Sequence, residues 1–286
     1  MTIDEKELEN YLRLQSTNEH TNNAELIKKN AMKLKLIPER LEKLSDLLLV
    51  FDFYSGIYKF VKDFNEFPEI SQDLDIKESK NIFLDNAQPI SFNLNQEFQC
   101  SILTGANSGG KTTLIEHIIQ LISLFQLGLK VSGKVKLPVF SEIYYFAKNK
   151  GSMSKGAFET LLTQMSTIKP GNKTLILADE IESVTEPGVA GNVICATAEY
   201  FLNKNCFLVI ATHLGQEIQK SLPQKARIDG IEAKGLDENF ELIVDHNPVL
   251  GRLAHSTPEL IVEKMANSQK HDYFLFINDK LKKKVV

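Results

Sequence analysis

Residues 105–112 read Gly-Ala-Asn-Ser-Gly-Gly-Lys-Thr, the spacing G-x-x-x-x-G-K-[ST] of a phosphate-binding P-loop. No other stretch restricts the fold as strongly, because this loop needs a strand before it and a helix after it. Residues 100–103 are an apolar run that predicts the strand, and residues 113–127 carry an apolar periodicity that predicts the helix. Glycines at 105, 109 and 110 let the backbone approach phosphate groups with its N–H groups pointing inward. A helix starting near Lys111 adds the positive end of its dipole. Gly105, Ala106, Asn107, Ser108, Gly109, Gly110, Lys111, Thr112 and Thr113 are therefore the candidate nucleotide-binding residues. Lys111 is spaced to reach the β- and γ-phosphates, and Thr112 to place its hydroxyl on Mg²⁺. The bland alternative, a glycine-rich turn with a stray lysine, does not account for the flanking strand and helix.

Composition narrows the partners. The 286 residues suit one large or two modest domains. A formal net charge of −4 gives no bulk attraction to nucleic acid or acidic membrane, so any DNA contact must come from a local patch. Cys100, Cys195 and Cys206 lie in apolar segments without metal-ligand spacing and read as buried thiols in a reducing compartment. The charged first residues fit no signal peptide and no apolar run reaches membrane-spanning length, so a cytoplasmic location is expected.

Along the chain, residues 1–30 are polar and suit a solvated helix or a frayed tail. Residues 31–64 place Leu34, Leu41, Leu44, Leu48, Phe51 and Tyr54 at helical spacing, with Lys33, Lys35, Arg40 and Lys43 between them. Those cations read first as a solvated face and second as a DNA-facing one. Pro68, Ser71 and the charges up to Lys80 read as a linker. An α/β pattern follows. Strands are expected at 90–94, 98–103, 175–178 and 206–211, helices at 158–168, 193–202 and 258–266, and a hairpin at 228–232 and 240–244. Lys148, Lys150, Ser154 and Lys155 fall in a loop-like Gly/Ser/Lys stretch, and a short basic run ends the chain.

Two further elements carry chemistry. The apolar run 175–178 ends in Asp179 and Glu180, the Walker B arrangement of nucleoside triphosphatases. There Asp179 would hold Mg²⁺ and Glu180 would act as general base or orient the attacking water. The run 206–211 leads into Thr212 and His213. A lone histidine is more often structural. The order P-loop, Asp-Glu, Thr-His resembles ABC-type ATPases, in which such a histidine meets the γ-phosphate or the attacking water.

Together the three elements resemble the MutS family. Thr104-Gly-Ala-Asn107-Ser-Gly-Gly-Lys-Thr-Thr113 is similar to the family's T-G-P-N-M-G-G-K-S-T, including the asparagine. Asp179-Glu-Ile181, Thr185 and Ala211-Thr-His213 follow the family's order Asp-Glu-[Ile/Leu], Gly-Thr, Ala-Thr-His, with Glu182-Ser183-Val184 where the family carries glycines. Residues 80–86 sit where the family has a short apolar segment ending in Asn-Asp, which makes Asn86 a nucleotide-binding candidate. The family's Ser-Thr-Phe, which meets the partner subunit's nucleotide, falls near Ser154 and Phe158, and Ser154 is the candidate for that contact.

The resemblance spans roughly residues 80–265. It implies a P-loop NTPase of ABC-like type at 79–286, behind a short helical segment at 1–78 like the end of the MutS core helices. It implies ATP and Mg²⁺ as cofactors, with Glu180, His213 and Lys111 as catalytic residues and Thr112 and Asp179 on the metal. It further implies a homodimer or a MutS-like heterodimer, with residues 152–158 and 185–188 approaching the opposite nucleotide, coupling nucleotide state to DNA in repair or recombination. DNA binding by this chain alone is expected to be weak. At 286 residues no mismatch-reading domain is expected. The alternative is a nucleotide-gated dimerisation or scaffold module with little hydrolysis, against which the carboxylate Glu180 argues. An ABC ATPase of the chromosome-organising kind would carry a Ser-Gly-Gly-Gln-like segment before Walker B, and none is present. A small-molecule P-loop kinase would need an acceptor site or lid that the sequence does not display.

Overall fold

The computed structural model describes residues 4–35, 37–64, 66–105, 109–147, 155–180, 187–237, 242–254, 258–269 and 271–282. They form two compact units, residues 1–62 and 63–286. The first holds helices α1 (Glu5–Leu34) and α2 (Ile37–Val61). Helix α1 is capped by Asp4, whose side chain accepts from the Lys6 N–H at 3.0 Å. Glu5 and Glu7 in its first turn and Lys33 in its last complement the helix dipole. Helix α2 carries apolar residues on every face and has Pro38 in its first turn, where no intrahelical N–H is needed. Neither helix buries a residue, and Lys33, Lys35, Arg40 and Lys43 are exposed.

The second unit is α/β, with two sheets. Strands β1 (Glu69–Ile70), β2 (Leu74–Ser79), β3 (Ile90–Leu94) and β5 (Lys134–Leu137) make a small mixed sheet in the order β1-β5-β2-β3. The larger sheet runs β10-β9-β4-β8-β7-β6. Its strands are β4 (Cys100–Gly105), β6 (Glu142–Phe146), β7 (Thr174–Asp179), β8 (Phe207–Ala211), β9 (Ala226–Leu236) and β10 (Leu242–Val249). Five of these are parallel, and β10 returns antiparallel on β9. The helices are α3 (Lys111–Gln126), α4 (Lys155–Ser166), α5 (Pro187–Leu202), α6 (Gly215–Gln219), α7 (Pro258–Gln269) and α8 (Asp272–Lys282).

Burial explains the unbroken apolar runs. Every residue of β7 and β8, and all of β4 except Gly105, is buried, as expected of parallel strands covered on both faces. One face packs Leu103, Leu175, Leu177 and Val209 against α3 and the small sheet, where Leu74, Ile76, Phe92 and Leu137 are buried. The other packs Ile102, Ile176, Ala178 and Ile210 against Met165 of α4, Ile194 and Phe201 of α5, and Ile218 of α6. Cys100, Cys195 and Cys206 are buried, free thiols, and burial pushes all three up from the usual thiol range.

The expected linker at 68–80 is instead β1 and β2. Leu74 and Ile76 alternate with Asp75 and Lys77, and both apolar side chains are fully buried. The charges that suggested a linker sit on the outer side of a half-buried strand, Lys77 pairing with Asp75 at 3.1 Å. The division between units thus falls at 62/63, ahead of the boundary expected at 78/79. The two strands expected before the P-loop, the helix after it, the strands at 174–179 and 207–211 and the late hairpin are all present. Helix α4 starts at Lys155, inside the loop-like stretch.

Candidate active site

The parallel order β4-β8-β7 brings three strand ends to one edge of the sheet. Leu103 is level with Ala211, and Ala211 with Asp179. Two backbone bonds continue the ladder past the strands, from Thr212 N–H to the Leu103 carbonyl and from Glu180 N–H to the Ala211 carbonyl, each 2.9 Å. Motifs separated by scores of residues in the sequence are therefore neighbours at the carboxyl end of the sheet, where open α/β sheets form their ligand crevice.

Strand β4 ends at Gly105, and Gly109 and Gly110 lead into α3. Gly105 has φ 137, and a Cβ there would stand 2.3 Å from the Ile231 carbonyl oxygen. Gly110 caps α3 with φ 94, and its Cβ would stand 2.9 Å from Nδ1 of His246. Both positions need glycine for their conformation and for space. Ala106, Asn107 and Ser108 lie outside the described residues. Lys111 begins α3, is 3 % exposed, and donates through Nζ to the Gly105 carbonyl at 2.8 Å. The amine thus ties the first turn of α3 back to the end of β4.

Thr112, the next residue of α3, donates its hydroxyl to Asp179 Oδ2 at 2.7 Å. Asp179 is 2 % exposed, and its other oxygen, Oδ1, has no hydrogen-bond partner among the described residues. A buried carboxylate oxygen without a partner is costly unless something else satisfies it. A hydroxyl and a half-satisfied carboxylate at the foot of a phosphate loop are the oxygen donors that Mg²⁺ takes when it keeps several waters. Among the described residues no group of three or more His, Cys, Asp and Glu side chains could hold a metal unaided. A cation here would draw its remaining ligands from water and phosphate.

Glu180 follows with φ 48, a left-handed conformation that a non-glycine residue adopts at some cost. It turns the chain out of β7 and brings Oε1 to 2.7 Å from Nε2 of His213, which lies just beyond the end of β8. Glu180 is nearly buried, whereas the His213 side chain is about one-third exposed. Thr212, fully buried, accepts the Leu214 N–H at 3.0 Å and fixes the turn that carries His213. Glu180 and His213, predicted separately, form one hydrogen-bonded pair beside the Thr112–Asp179 pair.

Sequence reasoning missed His246. It lies on β10, and its Nδ1 is 3.0 Å from the Gly109 carbonyl. Since a carbonyl only accepts, Nδ1 carries the proton of this bond. The His246 N–H bonds to Gln88 Oε1 at 3.2 Å, and Gln88 Nε2 donates to Asp245 at 2.8 Å. His246, Gln88, Leu84, Thr113, Leu114 and His117 line a cavity of about 90 Å³ against the start of α3. No local signal marks His246, which is 137 residues from Gly109 and lies on a strand read only as half of a hairpin. Asn86 is exposed with φ 55, between Leu84 and Ala87 of the cavity wall. Thr113 lines the cavity. Ser154, Lys148, Lys150, Ile181 and Thr185 lie outside the described residues, as does the side chain of Lys155.

A protein of Pyrococcus furiosus described as DNA-binding protein MutS2 is 40% identical over 271 residues, covering 91% of this chain and 47% of that protein. The chain belongs to the MutS family. Within it, the DNA mismatch repair protein MutS of Fervidobacterium nodosum is 29% identical over 198 residues, 63% of this chain and 23% of that protein. Endonuclease MutS2 of Fusobacterium nucleatum is 24% identical over 230 residues, 77% of this chain and 28% of that protein. The chain thus spans about half the length of the first of these MutS relatives and about a quarter of the other two. No protein-family model matches it. Among the described residues no helix is long and apolar enough to cross a membrane.

Proposed function

We propose that the chain is an ATP-binding and ATP-hydrolysing module, a P-loop NTPase of ABC-like type that couples nucleotide state to dimerisation and to DNA in repair or recombination. What carries the reading is the meeting, at one sheet edge, of a buried lysine bonded to the Gly105 carbonyl, a carboxylate with an orphaned oxygen against Thr112, and the Glu180–His213 pair. In this reading Lys111 and the amides at the start of α3 bind and orient the phosphates. Thr112 and Asp179 hold Mg²⁺, which when bound neutralises phosphate charge. Glu180 takes the proton of the attacking water, and His213, now hydrogen-bonded to it, orients that carboxylate and senses the γ-phosphate. The cavity beside Gly110 takes the base, with Leu84 and Leu114 supplying apolar walls.

The relatives' names, DNA-binding and DNA mismatch repair proteins, support DNA as the partner class. A two-fold homodimer or a MutS-like heterodimer would cover the open side of the nucleotide, with Ser154 as the trans contact. Titration of the full chain with a fluorescent ATP analogue tests the site. Binding is expected to be tight in Mg²⁺ and to weaken at least tenfold when Mg²⁺ is chelated. Metal-independent binding would remove Thr112 and Asp179 from the metal role.

A further inference from the structure

The edge of the large sheet opposite the P-loop carries a row of lysines. The segments entering β9, β8 and β7 present Lys225, Lys204 and Lys173, all exposed. Backbone bonds hold these segments, with the Lys204 N–H donating to the Phe201 carbonyl at 3.0 Å. The Lys225 carbonyl accepts the Cys100 N–H at 3.1 Å, the Lys173 carbonyl accepts the Ser141 N–H at 2.9 Å, and Cys206 Sγ accepts the Gly171 N–H at 3.3 Å. The order β9-β4-β8-β7 separates Lys225 from Lys173 by three strand spacings, about 14 Å. Lys220, just past α6, and Lys169, past α4, extend the row at its two ends.

Lys173, Lys204 and Lys220 have no ion-pair partner among the described residues. Lys169 reaches Glu142 only at 3.9 Å, and Lys225 is bonded to the neutral Gln99 at 3.2 Å. The acids in the same segments are Glu97, Glu142, Glu199 and Glu217, which leave the five lysines a small positive excess. In a chain of net charge −4 this is a local reversal of sign.

Beside the Lys225 end lies an open cavity of about 470 Å³ whose walls include Phe98, Leu222 and Leu250, with Gln219 and Arg227 as polar groups. Phe98 lies 5.7 Å under the Arg227 guanidinium, whose charge is engaged by the buried Asp229. Leu222 is bracketed in sequence by Lys220 and Lys225. A row of cations, Lys173, Lys204 and Lys220 among them without an ion-pair partner among the described residues, leading to a cavity walled in part by Phe98 matches the two needs of an unpaired strand: a track for phosphates and a surface for a base. A paired base could not enter such a cavity, and a flat anionic membrane would not use one.

We infer that this edge binds single-stranded DNA, with the lysine row tracking the phosphates and the Phe98 cavity receiving one base. The inference takes from the proposed function only the class of partner and is independent of the nucleotide site. Fluorescence anisotropy of a labelled single-stranded oligodeoxynucleotide, across a salt series with the full chain, tests it. Combined Lys173→Glu, Lys204→Glu and Lys225→Glu changes are expected to weaken binding at least tenfold and to flatten the log–log salt slope by about 2, at roughly 0.7 per phosphate contact. Circular dichroism and ATP affinity should be unchanged, since all three side chains are exposed and far from the P-loop edge. Phe98→Leu should cost single strands about tenfold while leaving heparin binding unaltered. Wild-type affinity and slope in the triple variant would overturn the row. Duplex binding as tight as single-strand binding would overturn the cavity's role and with it the inference. If the wild-type chain binds ATP but no DNA, the DNA partner fails and the nucleotide reading stands.

Discussion

Lys111→Ala is expected to abolish tight ATP binding and to leave the fold intact. The lysine is 3 % exposed, yet it belongs to neither hydrophobic cluster, and its amine bonds, among its partners, the backbone carbonyl of Gly105 rather than a core side chain. Removing it takes away a buried cation that the proposal aims at a multiply charged phosphate chain, where the effective dielectric is low and the charge is worth more than in water. The loop's amides and the helix dipole remain, so weak binding of phosphate should survive. Nucleotide titration beside circular dichroism decides the matter. Wild-type affinity in a correctly folded Lys111→Ala protein would show that the loop is not the nucleotide site.

Glu180→Gln should separate binding from turnover. Glutamine keeps the size of the side chain and an oxygen that can accept from His213 Nε2, so the 2.7 Å contact and the left-handed turn after β7 can persist. What is lost is the base. Loss of a general base costs on the order of 10²–10⁴ in rate. The variant should bind ATP as the wild type does, turn it over more slowly by that factor, and accumulate in an ATP-held form that sediments as a dimer in Mg²⁺. Unchanged turnover would move water activation to another group, with His213 the first to examine. A strict monomer with nucleotide bound would remove the dimer from the account.

Local signals made much of this site legible. The P-loop, its strand and its helix are contiguous, and the Asp-Glu and Thr-His pairs each close an apolar run, so strand ends and chemistry coincide in the sequence. The meeting of Glu180 with His213 follows from the adjacency of β7 and β8, which parallel α/β connections make natural but which no single segment encodes. His246 and Gln88 were illegible for the opposite reason. They reach the loop only because β10 folds back on β9 and the 88–90 segment crosses nearby, contacts that span more than 130 residues. Strand β2 was misread because Asp75 and Lys77 weigh heavily in composition, whereas its place in the fold rests on the two apolar residues alternating with them. Helix α2 was legible as a helix, since its leucines and aromatics recur at helical spacing.

Single-turnover hydrolysis of ATP by the wild-type chain, with Mg²⁺ and then with chelator, with and without DNA, tests the central claim most directly. The account predicts one equivalent of phosphate released per bound ATP in Mg²⁺, none in chelator, and a rate that DNA alters. Tight, Mg²⁺-dependent ATP binding with no phosphate release under any of these conditions would contradict it and leave a nucleotide-gated scaffold in its place.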